Sequence, residues 1–467
     1  MTQGSIVMQL IAFSLPMMLG NIFQILYNTV DSVVVGNFVG TEALAAVGST
    51  TIIVNIMVYF FNGFSTGATV VIARRFGAGD QQELHTAIQT IMAATFILSV
   101  VATVAGVFGV DPMLRFMSTP DDVFDQAAVY LRIYMAGFSG LVIYNMCSGV
   151  LRAVGDTTRP LYFLILTSLT NIALDLFFVL KLNMGIAGVA YATIISQFLS
   201  AGLTLTLLTF TKDIYRMDWR DLRLNIDVIR EIFAVGLPTG IQSIITAISN
   251  VFAQSYINAF QSQCMAGWAA YNKLDQFAML PIQSLAMAST TFASQNIGAG
   301  QEDRTSKGDM VSVALGLSVT GIIILIVELF AAPAVALFTP DEAVIRFGVL
   351  FIRTNLVFML FNCVNHALAG SMRGRGDSTA PMVIMLLGFV AIRQAYLFIM
   401  TRYITNTPAA VGFGYPVGWM ACCVVEVCYY IIRWKKKVSP SCSPAIRVYL
   451  KTQTSYKNCT KSKNAVE

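Results

Sequence analysis

The chain is short of charge. Only 12% of its 467 residues are Asp, Glu, Lys or Arg, while 56% are hydrophobic; a soluble domain carries about 25% charged residues. That excludes an ordinary water-soluble globular protein. Histidine is nearly absent, with His85 and His366 far apart. The eight cysteines show neither metal-ligand nor disulfide spacing; the adjacent Cys422 and Cys423 are expected to face lipid or to pack. A membrane-embedded enzyme needs a nucleophile–base pair or metal ligands at one depth. Nothing here supplies either, so we expect neither an enzyme nor a cofactor. No basic segment precedes the first apolar run, which continues as a full span, so no cleavable signal peptide is expected. The apolar segments are too long and unpatterned for a transmembrane β-barrel. A net charge of +5 follows the loops rather than forming a patch, which argues against a nucleic-acid partner.

What is present is length of apolar sequence. Twelve segments suit membrane-spanning helices: 10–36, 43–72, 86–109, 124–149, 160–180, 185–210, 230–258, 265–294, 308–331, 343–370, 381–402 and 410–433. With Met1 placed inside, the loops on that side hold 13 basic residues and the opposite loops hold 4, namely Arg115, Lys181, Arg346 and Arg402. The positive-inside rule then puts both termini in the cytoplasm of a cell with its chain in the inner membrane. The basic tail from Arg433 onward adds to the same side.

The two halves repeat. Leu15-Pro16 recurs as Leu237-Pro238, Gly77-Ala78-Gly79 as Gly298-Ala299-Gly300, and Thr119-Pro120-Asp121 as Thr339-Pro340-Asp341. Arg152-x-x-Gly155-Asp156 recurs as Arg373-x-x-Gly376-Asp377, and Arg132 has its partner in Arg353. The offsets lie between 220 and 222. Six spans per half give both halves one orientation, related by an axis along the membrane normal, with a site between them. The expected domains are an N-terminal six-helix lobe (1–210), a cytoplasmic linker (211–227), a C-terminal six-helix lobe (228–437) and a basic cytoplasmic tail (438–467). The linker alternates charge with apolar residues, which suits a short amphipathic helix or a solvated loop. The Gly-Ala-Gly and Arg-x-x-Gly-Asp motifs suit turns and charge anchoring.

A polar set sits inside this apolar frame. Pro16 and Asp31 lie in one span, fifteen residues or about 22 Å apart. Proline removes a backbone hydrogen bond and lets a helix bend. An ionisable group within a span is a functional-site hypothesis by default. Asn171 and Asp175 share one face of span five, and Thr193 follows in span six at similar depth. Oxygen ligands with two carboxylates suit a proton or a hard monovalent cation such as Na⁺. An offset of 221 carries Asn171 and Asp175 to Ile392 and Tyr396, and Asp31 meets Phe252 or Ala253, so the second half lacks these polar groups. Lys273 and Asp275, in span eight, suit a mutual pair or a substrate cavity. Glu328 and Glu426 lie near span ends, where a solvated carboxylate is the default.

In sum of motifs the chain resembles the multidrug and toxic compound extrusion (MATE) family. The residues that carry the resemblance are Leu15-Pro16, Asp31 in YNTVDSVVVG, ARRFGAGD (Ala73 to Asp80), LRAVGDTTRP (Leu151 to Pro160) and ASQNIGAG (Ala293 to Gly300), over about residues 5 to 435. The resemblance implies an all-α membrane fold of twelve helices in two pseudo-symmetric six-helix lobes. It implies export of cationic or amphipathic organic compounds, as a monomer among membrane lipids, in exchange for H⁺ or Na⁺ by alternating access. The family's first-lobe cation site matches Asp31, Asn171, Asp175 and Thr193, and its bending proline matches Pro16. Tyr27 in the same motif is expected at the substrate cavity. Acidic residues used by a sodium-coupled branch in the second lobe fall on Thr246 and Asn362, which leans towards the DinF-like side. A flippase of lipid-linked or other amphipathic metabolites shares the two-lobe plan and is the alternative, although only Arg132, Lys273, Arg353 and Arg393 are basic within spans.

Overall fold

A computed structural model describes residues 1–117 and 119–434; the expected tail, 438–467, lies outside the described residues. Long apolar runs with few breakers give helices, and among the described residues there is no strand. In chain order they are α1 (Ile6–Val34), α2 (Thr41–Ala78), α3 (Gln81–Phe116), α4 (Asp121–Ala136), α5 (Phe138–Val154), α6 (Thr158–Leu176), α7 (Gly185–Phe210), α8 (Ile226–Asn258), α9 (Ser262–Gly298), α10 (Glu302–Leu329), α11 (Ala331–Ala336), α12 (Glu342–Asn355), α13 (Met359–Gly374), α14 (Thr379–Leu386), α15 (Arg393–Ile399), α16 (Pro408–Gly412) and α17 (Gly414–Trp434). Among the described residues, ten helical segments are long and apolar enough to cross a bilayer, or eleven if α4 and α5, bent by 45° at Gly137, form one span. The remaining anticipated span is α9. It is 37 residues long, but Lys273, Asp275 and many amides and hydroxyls make it less apolar than the rest. Met1–Glu426 forms one compact unit, and Val427–Trp434 is the described part of a second.

The repeated motifs have a physical account. Gly79 and Gly300 end α2 and α9 with φ of 69° and 71°, and Gly155 and Gly376 end α5 and α13 with φ of 97° and 89°. Only glycine enters that left-handed region without steric cost. The acidic residues that follow cap the next helices: Asp80 Oδ1 accepts from Glu83 N at 3.0 Å, Asp156 Oδ1 from Arg159 N at 3.1 Å, and Asp377 Oδ1 from Ala380 N at 3.2 Å. The first glycine of each Gly-Ala-Gly has a different task. A Cβ on Gly77 would stand 2.0 Å from the Gln295 carbonyl oxygen, and one on Gly298 would stand 1.9 Å from that of Arg74. So α2 and α9 cross backbone to backbone at the Gly-Ala-Gly end of the bundle. Farther along, Gly63 and Gly67 of α2 meet Gly236 and Gly240 of α8 in the same way. A buried Asp309–Arg375 ion pair at 2.5 Å ties α10 to the end of α13, with Ser371 Oγ donating to Asp309 Oδ1.

Of the two expected structures the linker takes the loop, and most of its residues are exposed. It is irregular from Thr211 to Leu224, yet pinned to the first half. Met217 N donates to Leu208 O at 2.9 Å, Arg159 Nη1 to the Tyr215 hydroxyl at 3.0 Å, and the Trp219 ring stacks on Phe96. His85 meets Asp221 at 2.9 Å. Tyr215 and Met217 are buried while Ile214, Trp219 and Leu224 stay exposed, so only part of the alternating pattern is spent on docking.

Candidate functional site

Asp31 stands one turn from the end of α1. Asn171 and Asp175, one turn apart on α6, are 2% and 0% exposed. The structure brings the carboxyl groups of Asp31 and Asp175 within hydrogen-bonding reach of each other. Neither finds a protein donor for the rest of its oxygens. Asp31 Oδ1, both oxygens of Asp175 and both amide atoms of Asn171 are buried without a partner. Thr193, on α7, is also buried, and its hydroxyl donates to Val189 O of its own helix at 2.9 Å, leaving its oxygen free to accept. Ionised carboxylates are acceptors only. An oxygen set with this many unmatched acceptors fits a shared proton or a hard monovalent cation.

Two cavities lead towards this set. One, of about 290 Å³, is lined by Pro16, Asn21, Gln24, Asn62, Arg152 and Gln283, among others. The other, of about 50 Å³, is lined by Gln24, Tyr27, Tyr144, Asn171, Thr193 and Gln197, among others. Gln24, Leu141, Tyr144 and Leu164 belong to both walls, so the two cavities adjoin. Tyr27 and Asn171 line the inner one, and Asp31 and Asp175 lie one turn beyond them on the same helices, about 6 Å on. Tyr130 and Tyr134, stacked with centroids 6.2 Å apart, flank Asp31. Sequence reading missed Gln24, Tyr130, Tyr134, Tyr144 and Gln197. A signal existed for Gln24, which falls with Tyr27 and Asp31 at helical spacing, and for Gln197, one turn after Thr193.

A model of the family described as MatE matches residues 16–177 and 238–398, once in each repeat. The chain belongs to the MatE family. A probable multidrug resistance protein, YoeA of Bacillus subtilis, is 28% identical over 434 residues, covering 91% of this chain and 93% of its own. A crystal structure of MATE in the bent conformation superposes with a TM-score of 0.87 at 25% identity, covering 94% of this chain and 98% of that one. A MOP superfamily transporter from Pyrococcus furiosus superposes at 0.86 and 24% identity, covering 93% and 97%. These relatives and neighbours are transporters.

The second half of this MATE protein holds its polar groups differently. Lys273 is exposed and forms no ion pair with Asp275; Asp275 Oδ1 accepts instead from the Tyr271 hydroxyl at 3.1 Å, because the tyrosine one turn earlier on α9 shares its face. Thr246 and Asn362 each keep a buried side-chain oxygen without a partner, while Asn362 Nδ2 donates to Met279 Sδ. Glu426 corrects an expectation. It is 0% exposed rather than solvated or snorkelling. It lies beside Arg373 and accepts a weak contact from Cys422 Sγ at 3.8 Å. Cys422 and Cys423 are both packed inside. Among the described residues, no three His, Cys, Asp or Glu side chains converge as a metal-ligand set.

Proposed function

We propose that this protein is a secondary active antiporter that exports cationic or amphipathic organic compounds across the cell membrane in exchange for H⁺ or Na⁺. The observation that carries the reading is the Asp31–Asp175 contact: a buried carboxyl meets a half-buried one with no protein donor between them, next to a polar cavity. Ionised together, the pair repels; a proton or Na⁺ relieves it. Asp31, Asn171, Asp175 and Thr193 supply the oxygens. Binding of the coupling ion removes the attraction of the pair for a cationic compound and alters the hydrogen bonding of α1. Because Pro16 leaves α1 one backbone bond short, and because it lines the larger cavity, bending there couples the ion to that cavity. Tyr27, Lys273 and Asp275 belong to the substrate side of this scheme. The lobes, 1–210 and 228–437, then rock about the site to alternate access, as a DinF-like monomer with both termini cytoplasmic. A coupling free energy of about 3 kcal/mol shifts such an equilibrium more than 100-fold.

The test uses the protein in lipid vesicles. A cationic dye such as ethidium is followed under an imposed pH gradient and then under an imposed Na⁺ gradient, with Asp31→Asn and Asp175→Asn alongside. Uphill movement under one gradient, abolished in both variants, names the ion and supports the site. Movement that survives both substitutions refutes the coupling site. Dye that never moves uphill refutes the antiporter and favours the flippase of amphipathic metabolites.

A further inference from the structure

The second half buries a cation that the proposed coupling site does not use. Arg393 is 3% exposed. Its Nη2 donates to Ser249 Oγ at 2.6 Å and its Nη1 to Asn250 Oδ1 at 2.8 Å. Its guanidinium lies over the Tyr415 ring, 4.6 Å from the centroid. All three partners are neutral. The two hydrogen bonds use two of the five N–H donors of a guanidinium, and Nε is buried without an acceptor. Among the described residues no carboxylate forms an ion pair with it. The other basic residues within spans are exposed: Lys273, Arg132, which pairs with Asp111 at 2.7 Å, and Arg353, which lies beside Glu328. Asp275 neighbours Tyr415 but is held by Tyr271. A guanidinium withdrawn from water with no counter-charge is costly, and an anion arriving beside it recovers that cost.

The repeat identifies the place. Through the Arg-x-x-Gly-Asp motif the offset between halves is 221. A π-helical turn, Leu387–Ile392, then precedes Arg393, whereas α6 is regular through Asp175. A π-helical turn accommodates one extra residue, so the offset beyond it becomes 222. At 222, Arg393 is the counterpart of Asn171, Ser249 of Tyr27, and Tyr415 of Thr193, while Asp31 and Asp175 correspond to Ala253 and Leu397. The side chains gathered on Arg393 are therefore the repeat images of those lining the first-half cavity. The architecture is kept and the charge is reversed.

We propose that Arg393, with Ser249, Asn250 and Tyr415, forms an anion subsite that takes the carboxylate of an amphipathic compound. The free N–H donors match a carboxylate. Asn250 is exposed and opens the approach, and Trp268, 5.4 Å from the Tyr415 ring, supplies an aromatic wall and a fluorescent reporter. The preferred cargo then bears a carboxylate as well as an apolar body. The proposal rests on the efflux reading only in taking the ligand to be a transported compound.

The experiment measures binding to the full chain in detergent, by dye polarisation and tryptophan quenching. The probes are a rhodamine with a free carboxylate and its methyl ester. Wild type binds the free acid more tightly than the ester. Arg393→Gln weakens binding of the free acid about ten-fold or more and leaves the ester within about two-fold, while Arg393→Lys, which keeps the charge and guards against a folding defect, retains part of the preference. Equal loss of both dyes, no loss of either, or no preference in the folded wild type overturns the proposal; equal loss is the result expected if Arg393 instead pairs internally with Asp275. Uphill movement of the ester is read separately in vesicles. If it fails while selective binding persists, the efflux reading falls and the subsite stands.

Discussion

Two buried carboxylates in this protein have opposite accounts. Asp175 faces Asp31 with no donor bonded to either of its oxygens, whereas Asp309 is satisfied by Arg375 and Ser371. Asp175→Asn replaces an acceptor with a donor that Asp31 can use, so it raises thermal stability in detergent while abolishing gradient-driven dye movement. Asp309→Asn removes a buried carboxylate that both Arg375 and Ser371 contact and costs about 3 kcal/mol; the melting temperature falls, and transport per folded molecule is unchanged. Thermal unfolding beside vesicle transport checks both, and a destabilised Asp175→Asn would refute the description of Asp175 as lacking a donor. Asp31, Asn171 and Asp175 stand out in the sequence because the second repeat replaces them, a contrast that needs no coordinates; that they couple an ion is the proposal above. Their facing partners were not legible. That Asp31 meets Asp175 depends on how α1 packs on α6, and the tyrosines beside them come from α4, outside any local spacing. Glu426 was misread because position along a span does not show what packs over a side chain: Arg373, 53 positions earlier, lies beside it.

At the level of the helix, each Gly-Ala-Gly divides its work between two glycines. Gly298→Ala drives a Cβ into the Arg74 carbonyl oxygen, and overpacking of this kind costs about 1–3 kcal/mol. Gly300→Ala meets nothing within 4 Å, yet must hold φ of 71°, at about 1–2 kcal/mol. Replacing Gly300 with Asn, which tolerates left-handed backbone, restores much of its loss; Asn at 298 restores nothing and worsens it. Melting temperatures of the four variants separate the roles. The sequence displayed the second role at Gly79, which stands ahead of the capping Asp80 at the end of an apolar run, and the repeat carries it to Gly300, although Gln301 follows there. It could not display the first, because the backbone that Gly298 touches is 224 positions away in the chain. The linker shows the same limit: its alternating pattern suited a helix or a loop, and only the docking partners Phe96, Leu208 and Arg159 reveal that part of it is used without forming a helix.

Across the whole molecule, the alternating access proposed above sets a requirement on the same crossing. Backbone contact between α2 and α9 at Gly77 and Gly298 closes the Gly-Ala-Gly end in this structure, which is the cytoplasmic end in the orientation proposed above. Any state open to the cytoplasm must part these helices. A Cβ on Gly298 comes within 3.1 Å of Ala78 N, so cysteines at 78 and 298 lie within bridging range once the crossing yields to the overpacking described for Gly298→Ala, and the reduced double variant is the reference for transport. In a background lacking the native cysteines, oxidation of Ala78→Cys with Gly298→Cys traps the closed arrangement, stops dye transport in vesicles, and reduction restores it. Each single cysteine is insensitive to oxidant. A membrane-impermeant maleimide gives the matching control on orientation: Lys181→Cys and Tyr403→Cys label from outside intact cells, and Asp213→Cys labels only after permeabilisation. Because the bridge spans the two repeats without touching Asp31, Asp175 or Arg393, the locked protein still binds the dyes. Transport that continues through the oxidised bridge would mean that the helices need not separate there, and the rocking of two lobes about the site would have to be replaced by a motion confined to α1.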